Sequence, residues 1–133
     1  MKRQAINPAS TQALAEAYHF AQATRVGDMI WISGQVGIDA TMTPGADLEA
    51  QADLAFQNLK AALEAAGAGL SDVVELVSYH TDLHADTEGF GQIKDQYLPA
   101  PYPSWTAVGV SQLALPELRV EIRAVAVAGC GKP

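Results

Sequence analysis

Three charged residues in the last strand-like segment carry the clearest chemical potential in this chain. Arg119, Glu121 and Arg123 alternate with Val120, Ile122 and Ala124, so in an extended strand the charged set projects to one face and the apolar set, with Ala126, to the other. A carboxylate flanked by two guanidinium groups has two readings. As a surface ion pair it contributes only about 0–1 kcal/mol. In a partly buried cleft, Glu121 orients a water or moves a proton; burial would raise its pKa and the arginines would lower it, and the sequence leaves that balance open. Trp105, in Pro103-Ser104-Trp105-Thr106, is the second candidate. Indole has one N–H donor and a broad π face, suited to aromatic, apolar or cationic ligands.

The remaining candidates are weaker. His19, His80 and His84 are too dispersed for a helical metal pair. His80 and His84 form a local polar cluster with Asp82 and Asp86 near a strand end, read as a solvated loop with no metal. Cys130 is the only cysteine, which rules out an internal disulfide, and no histidine lies close in sequence to activate it, so it reads as an ordinary exposed thiol. Gly34, Gly37 and Gly45 do not make a phosphate-cradling motif. No cofactor is expected.

Composition limits the function classes. The 133 residues suit one domain, with residues 1–10 as an N-terminal segment and 129–133, rich in glycine, as a mobile tail. A formal charge of −7 with eight scattered basic residues works against binding to phosphate backbones, so no nucleic-acid partner is expected. No stretch approaches the roughly 20 apolar residues of a membrane span. Basic residues at the N-terminus lack an apolar segment behind them and do not read as a secretory signal, which points to the cytoplasm.

Elements must position these residues. Phe20–Arg25 and Met29–Ser33 are apolar-rich runs joined by Val26-Gly27-Asp28, the pattern of a hairpin. Leu48, Ala52, Ala55, Leu59, Ala62, Leu63 and Ala66 recur at helical spacing, with Asp47 suited to the start and Gly67 to a left-handed stop. Val73–Leu83 reads as a strand and Thr87–Leu98 as a second helix, although Gly89 and Gly91 weaken it. Strands follow around Trp105–Val110 and Arg119–Ala128. The order is β-β-α-β-α-β-β, with a short strand at residues 2–6: an α+β domain with two helices on one face of a mixed sheet. Yet Met29–Ile32 and Ala124–Val127 are apolar on both faces. Since no third layer is left in the chain, sheets packing against their own copies in a closed oligomer are expected.

The segments Met29-Ile30-Trp31-Ile32-Ser33-Gly34-Gln35, Asn58-Leu59-Lys60-Ala61-Ala62-Leu63-Glu64-Ala65-Ala66-Gly67, Ser71-Asp72-Val73-Val74, Thr81-Asp82-Leu83 and Val120-Glu121-Ile122 together resemble the Rid family, also called YjgF, the reactive intermediate deaminases. The resemblance spans residues 18–127. It implies a chorismate-mutase-like fold, a homotrimer with clefts between subunits, and hydrolysis of imines or enamines to a keto acid and ammonia. It also implies that Glu121 positions the attacking water and that Phe20, Ser33, Gly34, Phe90, Trp105 and Ala107 line the pocket. Trp105 stands where the family carries a carboxylate-gripping arginine, Phe20 where it has a tyrosine, and Ala107 where a cysteine is common. Arg119 and Arg123 are candidates to replace the lost charge.

Two function classes follow. One is a deaminase of a reactive enamine or imine with altered specificity, Glu121 acting on water and Trp105 serving as a platform. The other is a non-catalytic trimer that binds a small metabolite in the same cleft, or acts in a regulatory or chaperone-like way.

Overall fold

The computed structural model describes residues 1–133. Its elements are β1 (Gln4–Ile6), α1 (Gln12–Tyr18), β2 (Ala23–Val26), β3 (Met29–Val36), α2 (Leu48–Ala65), β4 (Val73–His80), α3 (Leu83–Tyr97), β5 (Ser104–Gly109) and β6 (Val120–Val127). Six strands form one sheet in the order β1-β2-β3-β6-β4-β5. All neighbours are antiparallel except β4 and β5, which are parallel and joined through α3. The result is the mixed α+β sheet that the hydrophobic patterning implies, with one helix more than expected. No helix is long and apolar enough to cross a membrane.

Strand β6 is paired on both sides, by β3 and β4. Its alternation is strict: Val120, Ile122, Ala124 and Ala126 are buried against the helices, while Glu121, Arg123, Val125 and Val127 face the other way. Helix α2 contributes Leu48, Ala52, Ala55, Phe56, Leu59, Ala62 and Leu63 to the same core. Asp47 caps it, accepting the Ala50 N–H at 2.9 Å, and the chain leaves it through Gly67 at φ +86°, where a side chain would be strained. On the face away from α2 and α3, Met29 and Trp31 stay exposed, opposite Val127 and Val125 of β6. This leaves an open apolar stripe, the surface that the two-sided patterning calls for covering.

The structure adds one helix and corrects the junction between β4 and α3. Helix α1 was not expected; it is short, lacks a side-chain cap and buries only Ala15, so it has no apolar stripe, and only its run of strong helix formers signals it. Helix α3 begins at Leu83 instead of Thr87, and β4 ends at His80 instead of Leu83. The reason is chemical: the buried position in the first turn of α3 is Asp86, so a search for apolar periodicity starts the helix one turn late. The glycine-rich tail returns to the body of the protein, where the Gly131 N–H donates to Asp72 Oδ1 at 2.9 Å.

Buried Gln51 of α2 ties down the long connection between β5 and β6. Its Nε2 donates to the carbonyls of Gly45 (3.1 Å) and Glu117 (2.9 Å), and its Oε1 accepts the Arg119 N–H at 2.8 Å. Replacing it by leucine keeps the volume but strands those backbone groups. The expected outcome for Gln51→Leu is a loss of about 1–3 kcal/mol of stability, measured by denaturant unfolding; an unchanged midpoint would contradict this role.

Candidate functional site

Glu121 opens into a cavity of about 310 Å³, lined by Leu14, Tyr18, Phe20, Gly34, Val36, Ile38, Met42, Ala114, Leu115 and Leu118. It is the only carboxylate among the lining residues. The cavity depends on a bulge in β3: Ile32 pairs with Ala124 and Gln35 with Ile122, so β3 carries one extra residue across that step. The bulge places Gly34 against the carboxylate, and a Cβ built on Gly34 would lie 2.6 Å from Glu121 Oε2. Any larger residue would displace the acid.

Burial holds the Glu121 carboxyl above the usual glutamate range. This decides the balance left open by the sequence, because neither neighbouring arginine is turned to it. Arg123 Nε donates to the Tyr79 hydroxyl at 3.0 Å, with Glu75 4.0 Å from its Nη1. Arg119 does not share the face of Glu121 and Arg123, contrary to the alternation argument. It lies one residue before β6 begins, and its Nη2 bonds Asp86 Oδ1 of α3 at 2.6 Å. A wider depression of about 630 Å³, lined by Thr43–Asp47, Gln51, Leu115, Glu117 and Arg119, contains neither Glu121 nor Trp105.

Trp105 lies on the opposite face. It pairs with Leu76, which in turn pairs with Ala124, and both of these are buried on the helix side. Glu121 pairs with Tyr79 on the other face. The indole N–H donates to Ser78 Oγ at 2.9 Å, and Ser78 Oγ lies 2.8 Å from His80 Nε2. Ser78 Oγ thus accepts the indole proton and shares a second hydrogen bond with the imidazole, whose other nitrogen is Nδ1. That nitrogen faces Asp86 Oδ2 at 3.7 Å, beyond hydrogen-bond length. Two polar groups, Trp105–Ser78–His80 and Asp86–Arg119, thus face each other beneath α3. His80 is fully buried on β4 and is not part of a solvated loop. Burial lowers its pKa, outweighing the opposing pull of Asp86.

The expected pocket residues therefore divide into two groups. Phe20, Gly34 and Glu121 meet in the cavity. Trp105 and Ala107 share the other face of β5, and Phe90 lies fully buried behind the indole, at 5.9 Å between ring centroids, also packing on His80 and Phe56. Phe90 is thus core, not a surface open to a ligand in this chain. Ser33 adjoins the cavity in sequence, but its hydroxyl donates to the Ala21 carbonyl at 2.6 Å. Sequence reasoning missed the cavity walls formed by Ala114, Leu115 and Leu118 and by Leu14 and Tyr18; their only signal was apolar residues outside the segments read as strands or helices. It also missed Lys94, whose ammonium lies 4.9 Å from the Trp105 ring centroid.

A family model described as Endoribonuclease L-PSP matches residues 10–128. The chain is 41% identical over 115 residues to the RutC family protein YjgH of Escherichia coli (strain K12), covering 86% of this chain and 88% of that protein. It is 38% identical over 127 residues to the 2-iminobutanoate/2-iminopropanoate deaminase of Mus musculus, covering 90% and 89%. A solved structure of protein YJGH superposes with a TM-score of 0.87 at 38% identity, covering 96% of this chain and 98% of that one.

The raised Glu121 pKa carries a linkage consequence. The folded state holds this proton more tightly than the unfolded chain, so the group's stabilising contribution is fully present below the unfolded value near 4.5 and is lost as pH rises through the folded value. Glu121→Gln is expected to unfold at a higher temperature than the native protein at pH 7, with the gap closing below about pH 4.5. Thermal unfolding across that range checks it; a variant less stable than native at pH 7 would show that the carboxylate is held by favourable contacts instead.

Proposed function

The chain belongs to the endoribonuclease L-PSP family, the family of the YjgF, RidA and RutC proteins, and from that membership we propose that it hydrolyses a reactive imine or enamine in a cleft shared by two subunits of a homotrimer. The observation that carries this reading is the Glu121 carboxylate, half-buried in an apolar cavity with no cation paired to it. A carboxylate whose pKa is raised by burial is a better base than an exposed one. It takes a proton from water as the water oxygen bonds to the imine carbon. The imine nitrogen takes up a proton as the water adds, giving a carbinolamine; Glu121 returns its proton to that nitrogen, and the C–N bond breaks as the hydroxyl gives up its own proton, releasing ammonia and a carbonyl compound. An enamine enters the same path after tautomerising to the imine.

The strand register supports a shared cleft. Glu121 and Trp105 project to opposite faces of one sheet, so a small ligand reaches both only when a second copy brings its β5 edge to the first copy's cavity. The exposed stripe at Met29 and Trp31 supplies apolar surface for such packing. Relatives named as deaminases of 2-imino acids support the reaction class. The family's description also names RNA cleavage, but a net charge of −7 disfavours binding an RNA backbone. Trp105 and Phe20, in place of the arginine and tyrosine implied by the resemblance, favour a second reading: a binding protein that holds a metabolite in the same cleft.

The deciding experiment follows keto-acid and ammonia release from freshly generated aliphatic and aromatic imino acids. The native protein is expected to accelerate release, and Glu121→Ala to lose roughly 10²–10⁴-fold of that acceleration. No acceleration by the native protein, with activity gained in Trp105→Arg, would overturn the deaminase reading in favour of the binding protein.

A further inference from the structure

Among the lysines and arginines, Lys94 is the one that the fold buries. It lies on the inward stripe of α3, only 6% exposed, in a position where a leucine or methionine would avoid dehydrating an ammonium. Its Nζ sits 4.9 Å from the Trp105 ring centroid and 5.2 Å from that of Tyr102, held between two π faces. Those faces satisfy charge but do not use up the three N–H donors. Its single oxygen partner is Asp95 Oδ1 at 2.8 Å, on the next residue, with a side chain 54% exposed. That carboxylate can turn into water without a dehydration cost of its own. The two aromatic walls also reach solvent, Tyr102 at 63% and Trp105 at 37%. The ammonium is therefore capped by one exposed carboxylate, between two aromatic walls that reach the surface.

We propose that Lys94 is the anion-recognition group on the β5 side of the cleft, binding the carboxylate of a small 2-imino or 2-keto acid in exchange for Asp95, with Trp105 and Tyr102 as the walls that hold the ammonium and pack on the ligand's side chain. This rests on the reading of the β5 edge as a ligand site. It assigns Trp105 a different task from direct recognition: the indole, fixed through its N–H to Ser78, is a cation holder. The other two candidate cations are committed elsewhere, Arg119 to Asp86 and Arg123 to Tyr79 and Glu75.

The test uses binding, so that it stands apart from catalysis. Ligand-observed NMR titration would compare 2-oxobutanoate, a keto acid, with 2-butanone, its analogue without the carboxylate, on the native protein and on Lys94→Met, Lys94→Arg and Asp95→Asn. The native protein is expected to prefer the keto acid by tenfold or more. Lys94→Met, apolar and similar in volume, is expected to abolish that preference while remaining folded by thermal unfolding, and Lys94→Arg to keep it. Asp95→Asn is expected to tighten keto-acid binding several-fold, a gain that a purely structural lysine would not give. Failure of the native protein to prefer the keto acid, or an unchanged preference in Lys94→Met, would overturn the proposal. Loss of the preference in Lys94→Met in a protein without deaminase activity would uphold this site and sink the catalytic reading; an active deaminase indifferent to Lys94→Met would do the reverse.

Discussion

Strand β6 sits between β3 and β4, and its helix-facing residues, Val120, Ile122, Ala124 and Ala126, are almost completely removed from water. Shifting the strand by one residue would turn all four outward and drive Glu121 into the hydrocarbon core. The packing of those four side chains against α2 and α3 therefore dictates where the acid goes: onto the uncovered face, beside the β3 bulge. Gly34 then allows the backbone of β3 to approach the carboxylate closely. Core packing, bulge and acid form a single constraint, and the raised Glu121 pKa is its electrostatic consequence.

The other side of the sheet is organised by polar residues inside an apolar stripe. Asp86 and Lys94 both occupy buried positions of α3, where each needs compensation. Asp86 obtains it from Arg119 at 2.6 Å, and Lys94 from two ring faces and an exposed carboxylate. The chain from Trp105 through Ser78 to His80 fixes the indole by its only donor. A tryptophan held this way is a rigid wall beside the Lys94 ammonium.

Much of the fold was legible because it rests on periodicity. The stripe from Leu48 to Ala66 specified α2, and the alternation from Val120 to Ala126 identified which face of β6 is core. What escaped has a common physical cause. Helix α1 buries one residue, too few to leave a pattern. The first turn of α3 was missed because a buried aspartate breaks the apolar stripe, and Lys94 because a lysine reads as a solvated position by type alone. The face of Glu121 followed from alternation, but that of Arg119 did not, since alternation holds only within the strand and Arg119 precedes it. His80 was read from its polar neighbours as solvated, whereas its position on β4 beneath Phe90 decides its burial. The division of the site between two faces depends on strand register, which motif spacing along the chain does not encode.

The central claim is that one site is assembled from the Glu121 face of one copy and the Trp105 edge of another. Subunit mixing tests it most directly: Glu121→Ala and Trp105→Ala, each expected to be inactive alone, are co-refolded in equal amounts and assayed for imine hydrolysis. Random assembly around a closed ring leaves about one cleft in four with both native halves, so activity is predicted to return to roughly a quarter of the native level. Mixed assemblies that remain as inactive as their parents would contradict the shared site.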